Sequence, residues 1–299
     1  MRTYAMGCDF EVFAFGEHRE LLRSAAEAAI EEIERIEQLL SHYLPQSEIS
    51  YINAHAAREP VRVHPEVLEL IRRAVHLSEE TKGAFDITVM PLIRCWGFFA
   101  GVGQIPDIRT LAEAMERVGS AHLQLDMENL TVVFDREGVE LHLGAIGKGY
   151  AVDKAIEVLQ SSGVAAAMVH GGHSSVRAYG APPGTGGWQI NFPHPLYPQR
   201  SLAHLLLHDR AISTSSAVEQ YFERGGRRYG HILDPRTGLP VENNLLWVSV
   251  LADETTSTDA LSTAFFVMGE EGIRQYVSTH SGVQVVILRH EDEHVEWIG

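Results

Sequence analysis

The stretch that decides the fold class is residues 165–179, Ala165-Ala-Ala-Met-Val-His-Gly-Gly-His-Ser-Ser-Val-Arg-Ala-Tyr179. It contains two short β runs, 165–170 and 174–179, on either side of Gly171-Gly172, and glycine pairs typically separate strands. Further strand-like runs follow near 188–192, 202–207, 227–233, 246–251, 283–288 and 294–297. A strand-rich middle and C-terminal part favours an antiparallel sheet over a doubly wound parallel one.

Helical periodicity dominates the first third of the chain. After an opening strand at 3–14, the pattern predicts amphipathic helices at 20–43, 65–81 and 108–118, the second opened by Pro65 and ended by Gly83. Short β runs at 123–125 and 131–134 follow, and two helices are predicted at 257–268 and 270–279. We therefore predict an α+β fold, a mixed, largely antiparallel sheet with packed helices. We expect a single domain over residues 1–299, with two lobes as the alternative.

Composition excludes several functional classes. Forty acidic against 24 basic side chains give a formal charge of −16, which disfavours a nucleic-acid-binding surface. Cys8 and Cys95 lie far apart without CxxC spacing, so no zinc knuckle or disulfide framework is indicated. No window reaches membrane-spanning length and no secretory apolar run precedes Cys8, so we expect a cytoplasmic protein without a membrane span.

A glycine-rich turn lies between an apolar run at 141–143 and a helix predicted to end near Gln160. Its sequence is Gly144-Ala-Ile-Gly147-Lys148-Gly149-Tyr150. Backbone N–H groups and a lysine at a helix start suit a pyrophosphate, although the pattern is neither a Walker A loop nor GxGxxG. Taken alone, a plain strand-to-helix turn explains the segment equally well.

Asp259 and Thr263 lie at positions i and i+4 of one helix face. Two oxygen ligands arranged in this way suit a hard cation such as Mg²⁺. The alternative is helix capping, with Ser257 or Thr258 as the cap and Asp259 complementing the helix dipole. From this segment alone capping is the better explanation.

The most informative segment for function is His231-Ile-Leu-Asp-Pro-Arg-Thr-Gly-Leu-Pro240. It places an imidazole beside turn residues, and such a histidine can titrate or donate a hydrogen bond near neutral pH. In isolation, a surface turn with a bystander histidine explains this segment better.

Other candidate residues are less specific. Tyr43 is either a stacking platform or a core aromatic, and Ser47 is a candidate cap for a short helix. His170 and His173 lack a third metal ligand with diagnostic spacing.

Together and in order, these segments resemble the ApbE family of FAD:protein FMN transferases. The resemblance covers almost the whole chain, and the quoted segments carry it: Met6-Gly7, Tyr43 to Asn53, Gly83 to Leu92, Trp96 to Phe98, Leu143 to Asp153, Gly171-Gly172, His231 to Pro240 and Asp259 to Gly269.

This resemblance implies an activity and its site residues. It implies Mg²⁺-dependent cleavage of FAD and transfer of FMN to a Thr or Ser hydroxyl of a target flavoprotein. The implied metal site comprises Asp259, Thr263 and the Ala145 backbone carbonyl, and His231 lies at the implied catalytic site. The implied flavin-nucleotide contacts are Met6, Tyr43, Ala84, Phe85, Asp86, His142, Lys148 and His173.

Three positions depart from the family pattern. His142 and His173 stand where the family usually has Asp, and Cys8 stands where it usually has Thr. Each Asp-to-His change removes a carboxylate. Two alternatives to transfer therefore remain open: a non-catalytic FAD-binding or carrier protein, and an FAD pyrophosphatase that releases FMN and AMP.

Overall fold

The computed structural model describes residues 1–172 and 174–299, and it confirms the predicted α+β class. Two compact units are present. The first comprises residues 1–37, 145–216 and 244–299, and the second comprises residues 38–144 and 217–243. In chain order the elements are β1 (Arg2–Ala5), β2 (Cys8–Phe15), α1 (Arg19–Leu40), α2 (Glu48–His55), β3 (Val61–Arg62), α3 (Pro65–Glu80), α4 (Met90–Cys95), α5 (Ile108–Met115), a 3₁₀ turn (Ser120–His122), β4 (Leu123–Asp126), β5 (Thr131–Phe134), α6 (Gly147–Ser161), β6 (Ala166–Gly171), β7 (Ser175–Tyr179), β8 (Trp188–Pro193), β9 (Ser201–Leu207), β10 (Arg210–Ser216), β11 (Tyr221–Arg224), β12 (Arg227–Gly230), β13 (Leu245–Ala252), α7 (Thr255–Thr279), β14 (Gln284–Arg289) and β15 (Glu296–Ile298).

The first unit is built on an antiparallel sheet. Within the described residues it has eight strands in the order β1-β2-β6-β7-β10-β13-β14-β15. Every pairing is antiparallel, as the strand-rich sequence predicts. Helices α6 and α7 pack against strands of this sheet and against each other. β13 is buried at all eight positions, which is typical of a central strand covered on both faces.

Helix α7 contains a kink where the sequence predicts two consecutive helices. Gly269 has φ 70° and ψ −179° inside it, a conformation open to glycine and costly for other residues. The predicted break between 268 and 270 therefore exists as a non-helical residue within one long element.

The second unit combines short helices with a small sheet. Strands β3, β5 and β4 form an antiparallel sheet in that order, and β11 pairs with β12 as a hairpin. Trp96 is buried in an apolar cluster with Leu92, Ala114 and Leu233, and its indole N–H donates to the Gly238 carbonyl at 2.8 Å. Trp96 is therefore a core aromatic of the second unit.

Two predicted helix signals are confirmed. Pro65 is the first residue of α3, and the Ser47 hydroxyl caps α2 by accepting from the Ser50 N–H at 3.1 Å. Beyond α3, Lys82 takes the left-handed conformation with φ 53°. Gly83 follows and donates to the Ser78 carbonyl at 2.8 Å, so the helix ends in a Schellman-type cap.

Two strand predictions are wrong, one because the chain turns within the run and one because no strand forms. The run 3–14 is a hairpin, because Met6 and Gly7 have φ 51° and 78°, the positive values of a two-residue turn. The run 141–143 is not a strand. The Leu141 backbone N–H donates to the Asn53 side-chain amide and its carbonyl accepts from the same amide. The His142 backbone N–H donates to the Ile87 carbonyl. A side chain and a loop therefore satisfy the backbone groups that a neighbouring strand would otherwise pair.

The sequence pattern also misses strands β10 and β11. β10 reads Arg-Ala-Ile-Ser-Thr-Ser-Ser, and hydroxyls on both faces remove the alternation that identifies strands. The run predicted at 227–233 corresponds to β12, which ends at Gly230, and the prediction misses β11 (Tyr221–Arg224), the other strand of this hairpin. Both cysteines are free thiols.

Candidate functional site

Asp259 is a buried carboxylate of the first unit. It lies in the second turn of α7 and is only 4% exposed. Its Oδ2 accepts from the Gly149 backbone N–H at 2.9 Å and its Oδ1 accepts from the Ser175 hydroxyl at 3.0 Å. The Lys148 ammonium lies 3.7 Å from Oδ1. The carboxylate is therefore held from two sides by neutral donors and lies beside a cation, which offsets the cost of its burial.

The glycine-rich turn places α6 directly against α7. A Cβ on Gly149 would lie 2.3 Å from the Thr255 carbonyl oxygen and 2.8 Å from Asp259 Cβ. Only glycine allows this approach, and the approach brings the Gly149 N–H to the carboxylate. Ala145 lies two residues before the start of α6, in the turn that leads into this contact.

Thr263 lies one turn beyond Asp259 and contacts a strand that the sequence does not reveal. Its Oγ1 is 3.3 Å from the Ser215 hydroxyl of β10. The same Ser215 hydroxyl is 3.0 Å from the Ser262 hydroxyl. Ser175 and Ser215 are therefore site residues that sequence reasoning misses. For Ser215, the run of hydroxyl residues at 213–216 is a signal in the sequence.

The capping interpretation of Asp259 is wrong. Helix α7 starts at Thr255, so Ser257 and Thr258 lie inside it rather than at its cap. Asp153 of α6 satisfies the helix start instead, accepting from the Thr255 N–H at 2.9 Å and the Thr256 N–H at 2.8 Å. A residue from another helix takes the capping role and leaves Asp259 for other contacts.

The donors around Asp259 suit a hard cation. A carboxylate, a threonine hydroxyl and a backbone carbonyl are the oxygen ligands that Mg²⁺ accepts, and Mg²⁺ usually keeps several waters and takes few protein carboxylates. A carboxylate has about four lone-pair positions, so the two hydrogen bonds to Asp259 leave acceptor capacity. Within the part of the chain that the structure describes, no group of three or more His, Cys, Asp or Glu side chains forms a metal cluster.

The second unit carries an exposed aromatic cluster at the end of α1. Tyr43 is 67% exposed and stacks on Phe99, with ring centroids 5.6 Å apart and planes 7° apart. The Arg94 guanidinium lies 4.3 Å from the Phe99 centroid. Tyr43 is thus a surface platform rather than a core residue.

Two imidazoles adjoin this platform. The His42 ring lies 3.9 Å from the Tyr43 ring and 4.6 Å from the His142 ring, centroid to centroid. Burial, and secondarily the charge of Arg94, lowers the pKa of His42 to about 4. His42 is therefore neutral at physiological pH. Gly144 makes room for this arrangement, because a Cβ there would lie 2.4 Å from His142 Cε1.

Asp86 is an internal anchor of the second unit. Its Oδ1 accepts from the Thr88 N–H and hydroxyl at 2.8 and 2.6 Å, and its Oδ2 accepts from Ser78 and from the Ser120 N–H and hydroxyl at 2.8 to 3.1 Å. Ala84 and Phe85 are buried as well. The predicted flavin contacts at these three positions stay predictions, and the structure shows that the Asp86 carboxylate already has five protein donors.

The segment 231–240 forms the predicted tight turn. The Gly238 N–H donates to the Asp234 carbonyl at 2.8 Å, and Gly238 has φ 73°. His231 Nδ1 lies 3.0 Å from the Gln220 carbonyl. Because a carbonyl only accepts, neutral His231 carries its proton on Nδ1 and its lone pair on Nε2, which is the form that suits a general base.

The predicted site residues divide between the two units. The first unit brings together Asp259, Thr263 and Lys148, and it also contains Ala145 and Met6, whose N–H donates to the Glu37 carboxylate at 2.6 Å. The second unit contains Tyr43, His142, His231 and the 84–86 segment. The predicted contact of His173 lies outside the described residues.

Comparison with known proteins gives consistent results. A family model described as the ApbE family matches residues 6–287. Proteins named FAD:protein FMN transferase from Vibrio cholerae and Treponema pallidum are 33% and 32% identical over 270 and 286 residues, covering 89% of this chain and 79% of each relative.

Solved structures agree in fold. The crystal structure of an ApbE protein from Thermotoga maritima matches with a TM-score of 0.90 at 32% identity, covering 100% of this chain and 96% of that chain. The apo form of the flavinyl transferase ApbE from Pseudomonas stutzeri matches with a TM-score of 0.85 at 29% identity, covering 100% and 93%. No helix in residues 1–172 or 174–299 has the length and apolar character needed to cross a bilayer.

Proposed function

Because this chain belongs to the ApbE family, we propose that it is a Mg²⁺-dependent FAD:protein FMN transferase. Relatives that carry this name share about a third of its residues over most of the chain. The structural observation that supports the proposal best is the buried Asp259 carboxylate, tethered by Gly149 and Ser175 beside Lys148. Such a site offers a carboxylate for a cation and an ammonium group for the negative charge of a pyrophosphate.

The reaction is a displacement at phosphorus. The acceptor Thr or Ser oxygen of the target flavoprotein forms a bond to the phosphorus of the FMN half. The bond from that phosphorus to the bridging oxygen breaks, and AMP leaves with the bridging oxygen. The hydroxyl proton passes to a base, so the products are a phosphodiester-linked FMN, AMP and one proton.

We assign the metal-binding role to the Asp259 carboxylate, the Thr263 hydroxyl and the Ala145 carbonyl. Bound Mg²⁺ would supply positive charge to the pyrophosphate oxygens. Lys148 adds a second positive charge beside Asp259, and backbone N–H groups of the glycine-rich turn add partial charge at the start of α6. These groups act on the negative charge that spreads over the phosphate during displacement.

His231 is the proposed base. Its Nδ1 donates to a backbone carbonyl, which fixes the ring, and Nε2 is then the nitrogen that accepts the hydroxyl proton. The flavin-nucleotide contacts are proposed at Met6, Tyr43, Ala84, Phe85, Asp86, His142, Lys148 and His173. Tyr43 has the strongest support among them, because its exposed ring is already stacked on Phe99.

The experiment that tests the function uses FAD, Mg²⁺ and a target flavoprotein domain. We expect covalent fluorescent FMN on the target and one AMP released per FMN attached. Free FMN with AMP would identify a pyrophosphatase instead. Unchanged FAD in the presence of bound flavin would identify a non-catalytic FAD-binding protein.

The Asp259→Asn variant tests the metal site. We expect turnover to fall by about 100-fold or more, because an amide cannot replace the charge of a metal-binding carboxylate. Asp126→Asn is the matched control, since that aspartate is exposed and serves only a local turn. Equal turnover in Asp259→Asn and in the control would refute the proposed metal site.

A further inference from the structure

A short series of hydroxyl groups connects Thr263 to the backbone of its own helix. Thr263 Oγ1 lies 3.3 Å from Ser215 Oγ, and Ser215 Oγ lies 3.0 Å from Ser262 Oγ. Ser262 Oγ in turn donates to the Asp259 carbonyl at 2.9 Å. Ser215 and Ser262 are both buried, at 8% and 1% exposure. The three hydroxyl groups therefore form one hydrogen-bonded chain, largely shielded from water, at the proposed metal site.

The direction of every proton in this series follows from its last acceptor. A carbonyl oxygen only accepts, so Ser262 uses its single proton on Asp259. Ser262 must then accept from Ser215, and Ser215 has used its own proton in doing so. Thr263 is left as the donor to Ser215, and both lone pairs of its oxygen remain available for another partner.

We infer that Ser215 and Ser262 are positioning residues that orient the Thr263 hydroxyl for binding a divalent cation through oxygen. A hydroxyl that ligates a cation must direct its proton elsewhere, and Ser215 is the acceptor that takes it. This inference rests on the proposed metal site, since it explains how one of its ligands is prepared. Partners of this kind around a metal ligand commonly change metal affinity by 10–100-fold.

Strand β10 also provides a matched comparison. Ser213 lies two residues before Ser215 on the same face of the strand, is fully buried, and contacts the Thr258 hydroxyl at 2.7 Å. Thr258 in turn donates to the Thr255 carbonyl at 3.2 Å. Ser213 therefore makes the same kind of strand-to-helix contact as Ser215, but its hydrogen-bonded series ends at the Thr255 carbonyl and does not include Thr263.

The test measures Mg²⁺ binding to FAD-free protein by calorimetric titration, with Mn²⁺ electron paramagnetic resonance as a second probe. We expect Ser215→Ala to weaken binding by about 10-fold, because the Thr263 proton loses its acceptor. Ser262→Ala should also weaken it, because the Ser215 proton is then redirected toward the Thr263 oxygen. Ser213→Ala should bind Mg²⁺ as the unmodified protein does, and its urea midpoint reports the cost of losing one buried hydroxyl.

Two outcomes separate this inference from the proposed function. Loss of Mg²⁺ binding in Thr263→Val together with unchanged binding in Ser215→Ala and Ser262→Ala would overturn the positioning role and keep the metal site. Unchanged binding in Thr263→Val would remove Thr263 from the metal site and the inference with it. Equal weakening in Ser213→Ala and Ser215→Ala would also overturn the inference, because the effect would then be general to buried hydroxyls.

Discussion

Gly149 determines how closely α6 approaches the carboxylate of Asp259. Its N–H donates to Oδ2, and an added Cβ would overlap the Thr255 carbonyl oxygen at 2.3 Å. Backbone atoms cannot move aside as a flexible side chain can. The close contact and the hydrogen bond therefore depend on the same missing side chain.

We predict that Gly149→Ala lowers the free energy of unfolding by about 3 kcal/mol, the upper end of the usual cost of overpacking. Urea denaturation followed by circular dichroism measures the loss. Gly186→Ala is the control, because its φ is not positive and its Cβ would meet only Leu206 Cδ1 at 4.0 Å. Equal stability of the two variants would contradict the prediction.

His42 gives the molecule a pH-dependent stability term. Its pKa is lowered to about 4 in the folded protein by burial and by Arg94, whereas a histidine in the unfolded chain has a pKa near 6.5. Between these values the unfolded chain is protonated at this residue and the folded chain is not. The contribution of His42 to the free energy of unfolding is therefore complete above about pH 6.5, and it is lost as the pH falls from 6.5 toward 4.

We predict that His42→Gln removes part of the acid sensitivity of the protein. A pKa difference of this size corresponds to about 3 kcal/mol, and solvent screening at this partly exposed side chain reduces the expected effect to about 1–2 kcal/mol. The measurement is the free energy of unfolding at pH 7.5 and pH 4.5 for both proteins. Equal losses between these pH values in both would show that His42 does not contribute.

The start of helix α7 depends on a residue of helix α6. Asp153 caps α7 through the Thr255 and Thr256 N–H groups and also accepts from Arg177 at 2.7 Å. The helix that carries Asp259 and Thr263 is therefore oriented by a carboxylate from a neighbouring helix and by a strand residue bound to the same carboxylate.

We predict that Asp153→Ala destabilises the protein by about 3 kcal/mol, because a buried cap is lost and Arg177 loses its partner. Mg²⁺ affinity should fall with it, since the helix start is no longer held. Thermal melting and Mg²⁺ titration are the measurements. Asp107→Ala, which removes the exposed cap of α5, serves as the comparison and should cause a smaller loss, with unchanged Mg²⁺ affinity.

Neither compact unit is a continuous segment of the chain. The second unit needs residues 217–243 in addition to residues 38–144. Leu233, Phe222 and Tyr229 from the later segment pack on the cluster around Trp96, and Gly238 accepts the Trp96 indole proton. The core of this unit therefore requires parts of the chain that are far apart in sequence.

We predict that the isolated segment 38–144 does not form a native core. Removing residues 217–243 exposes apolar surface around Trp96 and leaves its N–H without the Gly238 acceptor, which costs about 1–3 kcal/mol for the hydrogen bond alone. Dye binding and the dispersion of the amide NMR spectrum report the outcome. A cooperative thermal transition with a native-like tryptophan spectrum would show that the segment folds alone.

Local sequence signals predict much of the fold because they depend on neighbouring residues. The β5 boundaries, Pro65 at the start of α3 and the Ser47 cap all follow from periodicity or capping chemistry. The strand β10 and the hairpin at Met6-Gly7 do not. β10 is identified by its partners β7 and β13, and no periodicity along its own hydroxyl-rich sequence reports them.

Short segments and their order along the chain encode the α+β class, the family and the residue types of the candidate site. The contacts that those residues make with one another depend on the folded chain. Asp259 is tethered by Gly149 and Ser175, which are 110 and 84 residues away along the chain. Hydrogen bonding and desolvation act between groups that are adjacent in space, and the fold determines which residues distant in sequence become neighbours.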